Sequence, residues 1–150
     1  MTDKTPKLLV DALGAIDSAR EFVAGISFAD YADDKMRRSA VERQLEILGE
    51  ACARLAKLEP ALAGSVVNLK LAIDLRNRII HGYDSVDDEI VYLTVVGDLA
   101  ELRGDLSRLL TQRDGLVNET PGSALPTRPA GGSSPLDAGR PGGGLRRAGL

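Results

Sequence analysis

The segment Arg76–Tyr83 combines more reactive side chains than any other part of the sequence, and it contains the only histidine, His81. It reads Arg-Asn-Arg-Ile-Ile-His-Gly-Tyr, which places two arginines, the histidine and a tyrosine within eight residues. Guanidinium groups hold phosphate by forked hydrogen bonds, and an imidazole accepts and donates protons near neutral pH. This combination indicates chemistry on a phosphate group.

The spacing within the segment limits how its side chains can meet. Arg76 and His81 are five residues apart, which on a regular helix is a rotation of about 140°. They could still converge if Gly82 ended the helix and redirected the chain, or if a second subunit supplied one of the two groups. Cleavage of RNA through its own 2′-hydroxyl needs a general base and a general acid, and each chain has one imidazole. A two-fold axis along this helix would bring two copies of Arg76 and His81 into one cleft, which predicts a homodimer with a composite site.

A purely structural interpretation of the same residues is open. A histidine before a glycine can cap a helix, where the imidazolium is favoured by the negative end of the dipole. Asp74 and Arg78 are four residues apart and could form a surface ion pair, and Tyr83 could pack against the following helix. On spacing alone, this interpretation is the more common one.

The rest of the sequence predicts an all-α fold, an antiparallel four-helix bundle. Helical periodicity is strong and strand signals are nearly absent. We expect helices over residues 6–24, 28–58, 66–80 and 87–110, with Gly25 as a stop after the first and a possible break in the second near Asp33. Their predicted buried stripes include the apolar residues Leu9, Ile16, Met36, Leu45, Leu48, Cys52, Leu69, Ile73, Ile80, Ile90, Leu93, Val96, Leu99, Leu102 and Leu106.

Composition changes sharply after residue 113. Nine of the 16 glycines and five of the seven prolines lie between Asp114 and Leu150, a composition typical of disorder. We therefore predict a helical domain over residues 5–112 and a disordered tail over 113–150. Residues 1–113, called the body below, contain 19 acidic and 15 basic residues and have a net charge of −4, which argues against tight, sequence-blind binding of nucleic acid.

Several classes of protein are disfavoured by composition. The single cysteine, Cys52, excludes an internal disulfide and the usual zinc clusters, and its apolar helical surroundings predict a buried thiol. Neither a membrane-spanning run nor a signal-peptide core is present. We expect a cytoplasmic protein with no membrane partner, no metal site and no cofactor.

The motif as a whole, Arg76, four residues, His81, one residue, Tyr83, resembles the signature of HepT-like toxins, which are HEPN-domain ribonucleases. The resemblance extends upstream to Arg43–Ala51 and downstream through Asp84–Asp87, and it covers about residues 8–110. The segment from Pro60 to Val66 departs from the family pattern because it lacks a tryptophan often found there.

The resemblance implies a homodimeric α-helical toxin that cleaves RNA without a metal. Its partner would be a minimal nucleotidyltransferase antitoxin, which would neutralise it by transferring AMP to the motif tyrosine. Arg76 and His81 would then be catalytic and Tyr83 would be the modified residue. Asn77 and Arg78 would support them, Asn77 by positioning substrate or backbone and Arg78 by contacting phosphate, unless Arg78 pairs with Asp74.

Two other functions fit the same sequence. The chain could be a non-catalytic helical module that binds and assists a nucleotidyltransferase, or a purely structural dimer. The basic stretch from Lys35 to Arg43 could follow RNA phosphates or be an ordinary solvated surface. Glu46 and Glu50 could be surface carboxylates or could steady Arg76.

Overall fold

The structure is a computed structural model that describes residues 3–82 and 86–117, with side chains to Arg113. Most of these residues are helical and none of them lies in a strand, so the predicted all-α bundle is confirmed. The helices are α1 (Thr5–Val23), α2 (Phe28–Asp33), α3 (Lys35–Leu58), α4 (Pro60–Ser65), α5 (Val67–His81), α6 (Asp88–Leu93) and α7 (Leu99–Val117), with a π-helical turn (Thr94–Asp98) joining the last two. Tyr83 and residues 118–150 of the predicted disordered tail lie outside the described residues. Residues 113–117, which were predicted to belong to that tail, are helical and continue α7. The division near residue 112 otherwise stays a prediction.

Local capping chemistry fixes most of the helix ends. Gly25 adopts a left-handed conformation (φ 74°) just after α1, as a glycine stop should. The break predicted near Asp33 is confirmed at Asp34, whose carboxylate accepts the Arg37 backbone N–H (3.0 Å) and begins α3. Asp87 begins α6 in the same way, by accepting the backbone N–H groups of Glu89 and Ile90.

One hydrophobic core holds these helices together. Helix α3 is central, because it packs against α1 on one side and α5 on the other. The largest fully buried side chains come from every long helix and from α2, the π turn and α6: Leu9, Ile16, Tyr31, Val41, Leu48, Leu55, Leu69, Val91, Val95, Leu99, Leu102 and Leu106. The candidate site on α5 is therefore supported by α3, the helix that also packs extensively against α1.

The predicted buried stripe is wrong at the start of α3 and along α6. Met36 is 82% exposed, and Ile90, Leu93 and Val96 are also exposed. The predicted stripe placed a buried residue at every third position from Ile90. Three residues rotate a helix by about 60° less than a full turn, so such a stripe moves off the buried face. The buried positions Val91, Val95 and Leu99 are four residues apart, which suits a helix widened by a π turn.

Two further details near the site differ from prediction. The segment from Pro60 to Val66, predicted to be a linker, contains the short helix α4, with Pro60 in its first turn. Ile80 was placed on the buried face of α5, but it is partly exposed (37%), because it faces the cleft described below.

A polar network ties the beginning of the body to the end of α7. Arg113 is paired with the carboxylates of both Asp3 and Glu59. The buried Thr5 hydroxyl donates to the same Glu59 carboxylate (2.6 Å). The first helix, the α3–α4 junction and the last described side chain are thereby linked through one carboxylate.

Candidate active site

Arg76 lies where α5 approaches α3 most closely. A Cβ added to Gly49 of α3 would lie 2.1 Å from the Arg76 Cβ, 2.6 Å from its Cγ and 3.0 Å from the Ala72 carbonyl oxygen. Carbon atoms in contact are normally about 3.5–4.0 Å apart. Only glycine therefore fits at position 49, and its missing side chain lets the stem of Arg76 lie directly against α3.

The Arg76 guanidinium is held by hydrogen bonds to two side chains. Its Nη2 donates to Glu50 Oε1 (3.0 Å) and its Nη1 donates to Asn77 Oδ1 (3.0 Å). Glu50 also accepts a bond from Arg54 Nε (2.8 Å), and this bond, with the charges of Arg54 and Arg76, lowers the pKa of Glu50. The Arg76 side chain is 27% exposed and Glu50 44%, so the pair is oriented but still reachable from solvent.

This guanidinium opens into a cleft between α1, α3 and α5, with a volume of about 420 Å³. The cleft contains three arginines and three carboxylates together with apolar groups, and its lining is Leu8, Asp11, Arg43, Glu46, Ile47, Glu50, Ala51, Arg54, Arg76 and Ile80. A forked cation within a polar cleft can bind a phosphate and stabilise negative charge developing on phosphorus.

His81 is not part of this cleft. It is the last residue of α5 and is exposed. Because α5 is helical from Arg76 through His81, the rotation of about 140° between the two side chains is retained. Gly82 ends the helix only after His81, where its backbone N–H donates to the Arg78 carbonyl (3.0 Å). One chain therefore does not bring Arg76 and His81 together.

The two predicted supporting residues have different surroundings. Asn77 is exposed and accepts the Arg76 bond described above. Arg78 is exposed and has no ion pair within the described part of the chain. The alternative Asp74–Arg78 pair is wrong, because Asp74 pairs with Lys70 at 2.8 Å, one turn in the other direction. Tyr83 lies outside the described residues.

Sequence reasoning found some of the neighbours of Arg76 and missed others. One of the two roles considered for Glu50, steadying Arg76, is confirmed by the contact between them. Gly49 and Arg54 were missed, because nothing in a single sequence indicates which glycine lies opposite an arginine of another helix. The expected buried thiol is confirmed, since Cys52 is fully buried and burial raises its pKa to about 12.

The basic stretch at the start of α3 is mostly engaged within the protein. Arg37 pairs with Asp34, and Arg38 contacts the Ala32 carbonyl and pairs with Asp88. Lys35 is exposed and has no partner in the described region. This arrangement favours an ordinary protein surface for Lys35, Arg37 and Arg38, whereas Arg43 lines the cleft.

A model of one protein family, described as ribonuclease HepT-like, matches residues 12–109 of the chain. The chain belongs to the ribonuclease HepT-like family. The match includes α3 and α5, and with them Gly49, Glu50 and Arg76. The HepT-like resemblance read from the sequence is thereby confirmed.

Individual proteins with similar sequences agree with this family. The chain is 34% identical over 101 residues to the "Probable ribonuclease HepT" of Thermococcus cleftensis, covering 67% of this chain and 91% of that protein. It is 34% identical over 108 residues to a protein of Caldanaerobacter subterraneus that is named as an RNase, covering 71% and 96% of the two chains. A Methanocaldococcus jannaschii protein, also named as an RNase, is 31% identical over 98 residues, covering 65% of this chain and 89% of that protein. No solved structure matches the chain.

Two further properties of this HepT-like chain concern membrane insertion and metal binding. None of the helices in the described ranges is both long enough and apolar enough to span a membrane. Within those same ranges, no group of three or more histidine, cysteine and acidic residues is arranged to hold a metal ion.

Proposed function

We propose that this HepT-like protein is an endoribonuclease, the toxin of a toxin–antitoxin pair, that cleaves RNA with Arg76 and His81. The observation that carries the proposal is the orientation of the Arg76 guanidinium, which Glu50 and Asn77 hold at the edge of a polar cleft. Membership of a family described as ribonuclease HepT-like, and relatives named as RNases, support the choice of RNA as the substrate.

The proposed reaction uses the 2′-hydroxyl of the RNA as its nucleophile. A base removes the proton of this hydroxyl, the 2′-oxygen bonds to phosphorus, and the bond from phosphorus to the 5′-oxygen breaks as an acid protonates the leaving oxygen. The products are a 2′,3′-cyclic phosphate and a 5′-hydroxyl. His81 would move these protons, and Arg76 would stabilise the charge on the crowded phosphorus, with Asn77 and Arg78 in supporting roles.

The geometry of α5 supports a second chain as part of this site. Arg76 faces the cleft of its own chain, and His81 lies about 140° away at the end of the helix. A homodimer with its two-fold axis near α5 would place His81 of one chain beside Arg76 of the other. Such a dimer would also provide two imidazoles, one for each proton transfer.

Control of the enzyme would come from a nucleotidyltransferase antitoxin that transfers AMP to Tyr83. Tyr83 is two residues beyond His81 in the sequence. AMP there would add bulk and negative charge beside the catalytic groups, which would repel an RNA backbone. The cytoplasm, which contains both RNA and such a partner, is the proposed location.

A non-catalytic module that binds and assists the nucleotidyltransferase is the second candidate. It is favoured by the separation of Arg76 from His81 within one chain and by the carboxylate that already neutralises Arg76. In such a module, the Arg76–Glu50 pair would serve only to join α3 and α5.

The test is cleavage of single-stranded RNA by the wild-type protein, Arg76→Ala and His81→Ala. Arg20→Ala, an exposed arginine outside the cleft, is the matched control. Loss of His81 should slow cleavage about 10²–10⁴-fold and loss of Arg76 about 10²–10³-fold, with the control unchanged. His81→Ala chains co-expressed in excess with wild-type chains should also reduce the activity per wild-type chain, because both imidazoles serve one site. No cleavage by any of these proteins would favour the module, and activity per wild-type chain that is insensitive to mixing would contradict the composite site.

A further inference from the structure

The cleft at Arg76 continues into a second hollow on the same face of the body. This second hollow has a volume of about 600 Å³ and shares Leu8, Asp11 and Arg54 with the first. It extends to Lys4 at the start of α1 and to Lys57 in the last turn of α3. We call the two together the α1–α3 groove.

The groove carries positive charge on a body that is negative overall. Six cationic side chains and four acidic ones line it, whereas the body as a whole has a net charge of −4. The cationic side chains are Lys4, Lys7, Arg43, Arg54, Lys57 and Arg76. The groove is therefore a local exception to the acidic surface that argues against general binding of nucleic acid.

Ion pairs within the groove neutralise most of these cations but not all. Lys7 pairs with Asp11 (3.0 Å), Arg43 pairs with Glu46 (3.3 Å), and Glu50 pairs with both Arg54 and Arg76. These pairs leave two cations of the groove, Lys4 at the beginning of α1 and Lys57 near the end of α3. Neither has an ion pair within the described residues.

The last acidic residue of the groove is also neutralised. Asp3 is engaged by Arg113. The two unpaired lysines therefore form a positive end to the groove, and Lys57 is seven residues of α3, or about 11 Å, from the Glu50 that holds Arg76.

The dimensions and floor of the groove suit an extended strand. Along α3, the distance from Arg43 to Lys57 is fourteen residues, or about 21 Å at ~1.5 Å per residue. This length accommodates about six stacked nucleotides at a rise of ~3.4 Å. The apolar side chains of Leu8 and Leu58 lie in the groove between its charged borders. Proteins that bind single strands without sequence preference use a positively charged groove that follows the backbone of the strand.

We propose that the α1–α3 groove binds the flank of a single-stranded RNA whose scissile phosphate lies at Arg76. Lys4 and Lys57 contact phosphates of this flank about three nucleotides from the cut. The inference rests on the proposed nuclease function and extends it, because it gives the substrate a path and a minimum length. Beyond the cleft at Arg76, which the proposed dimer shares, a second copy of the chain is the alternative occupant of the groove. A two-fold contact there would bring the same excess of positive charge, whereas RNA supplies the opposite charge.

The experiment compares Lys4→Gln/Lys57→Gln with the control Lys35→Gln/Lys70→Gln, which removes two exposed lysines outside the groove. Binding of a fluorescein-labelled 2′-O-methyl oligonucleotide, long enough to fill the groove, is followed by fluorescence anisotropy across a salt series. This probe cannot be cleaved through its 2′-oxygen. The loss of two phosphate contacts should reduce the salt slope by ~1.4 and weaken binding about ten-fold near 0.15 M salt. The control variant should match the wild type.

A second readout separates this inference from the nuclease proposal. Cleavage of a dinucleotide, which cannot reach the lysines, should be equal in the wild type and the groove variant, while cleavage of long RNA should be slower in the variant. Equal salt slopes, or an equal loss in the control, would overturn the groove as an RNA path even if RNA is cleaved. The proposal would also be overturned if the groove variant changed its oligomeric state in sedimentation velocity while its salt slope equalled that of the wild type. The groove would then be a contact between copies of the chain. Absence of all cleavage with the slope difference retained would contradict the nuclease and leave the binding path in place.

Discussion

The close contact between α3 and α5 at Gly49 makes a prediction that can be worked out in numbers. In Gly49→Ala, the new methyl group would lie 2.1 Å from the Arg76 Cβ and 3.0 Å from the Ala72 carbonyl oxygen. Neither atom can rotate away, because the first is bonded directly to the backbone and the second belongs to it. The two helices must therefore separate, and strain of this kind costs about 3 kcal/mol at the upper end of the usual range.

Helix propensity offsets part of that cost. Alanine is favoured over glycine inside a helix by about 1 kcal/mol, so the expected net loss for Gly49→Ala is ~2 kcal/mol. For a body of this size, that corresponds to a fall in Tm of about 8 °C. Gly14→Ala in α1 is the matched control, because a Cβ there meets nothing within 4 Å. The Gly14→Ala protein should be more stable than the wild type by about 1 kcal/mol, which would raise its Tm by ~4 °C.

Thermal and urea unfolding followed by circular dichroism measures both changes. Arg76→Gly removes the two closest atoms, so a double-mutant cycle with Gly49→Ala should give a coupling energy of at least ~1 kcal/mol. A Gly49→Ala protein as stable as the wild type, beside a stabilised Gly14→Ala protein, would refute the reasoning. A cycle without coupling would show that Arg76 is not the group that position 49 must avoid.

Three other predictions follow from the surroundings of single side chains. Burial and the nearby Asp88 carboxylate raise the pKa of Glu42, so its ionisation weakens the folded state as pH rises above ~4.5. Glu42→Gln should therefore raise Tm at pH 7 but not at pH 4, and equal melting shifts at both pH values would count against it. The buried Cys52 thiol, with its pKa raised to about 12, should react with iodoacetamide at pH 8 only after unfolding, and rapid labelling of the native protein would contradict its burial. Glu50→Gln should lower kcat/KM for RNA about ten-fold, because the Glu50 carboxylate orients Arg76. It should change the free energy of unfolding by less than ~1 kcal/mol, because the carboxylate is partly exposed. An unchanged kcat/KM would contradict the positioning role of Glu50.

Local signals in the sequence predicted most of the fold. Apolar residues at three- and four-residue steps located the long helices, and short polar residues such as Asp34 marked the ends. The same method failed along α6, because three-residue steps from Ile90 gave the wrong face, and a π turn is not visible in the periodicity of one sequence. The register of a helix depends on which neighbour it packs against, and the sequence alone does not give that neighbour.

The candidate site was predictable only in part, for a related reason. The motif identified Arg76 and His81, and helical geometry correctly indicated that the two diverge within one chain. The contact of Arg76 with Gly49 and its bond to Glu50 join two different helices, and Arg76 and Glu50 are 26 residues apart in sequence. Such contacts are set by tertiary packing, so a pattern within one helix cannot reveal them.

The most direct test of the central claim is the chemistry of the RNA ends that the protein produces. End-labelled single-stranded RNA would be incubated in EDTA with protein whose Tyr83 is shown by mass spectrometry to be unmodified, beside His81→Ala. The account predicts fragments that end in a 2′,3′-cyclic phosphate from the wild type and none from the variant. Intact RNA with the wild-type protein, or cleavage that persists in His81→Ala, would contradict it.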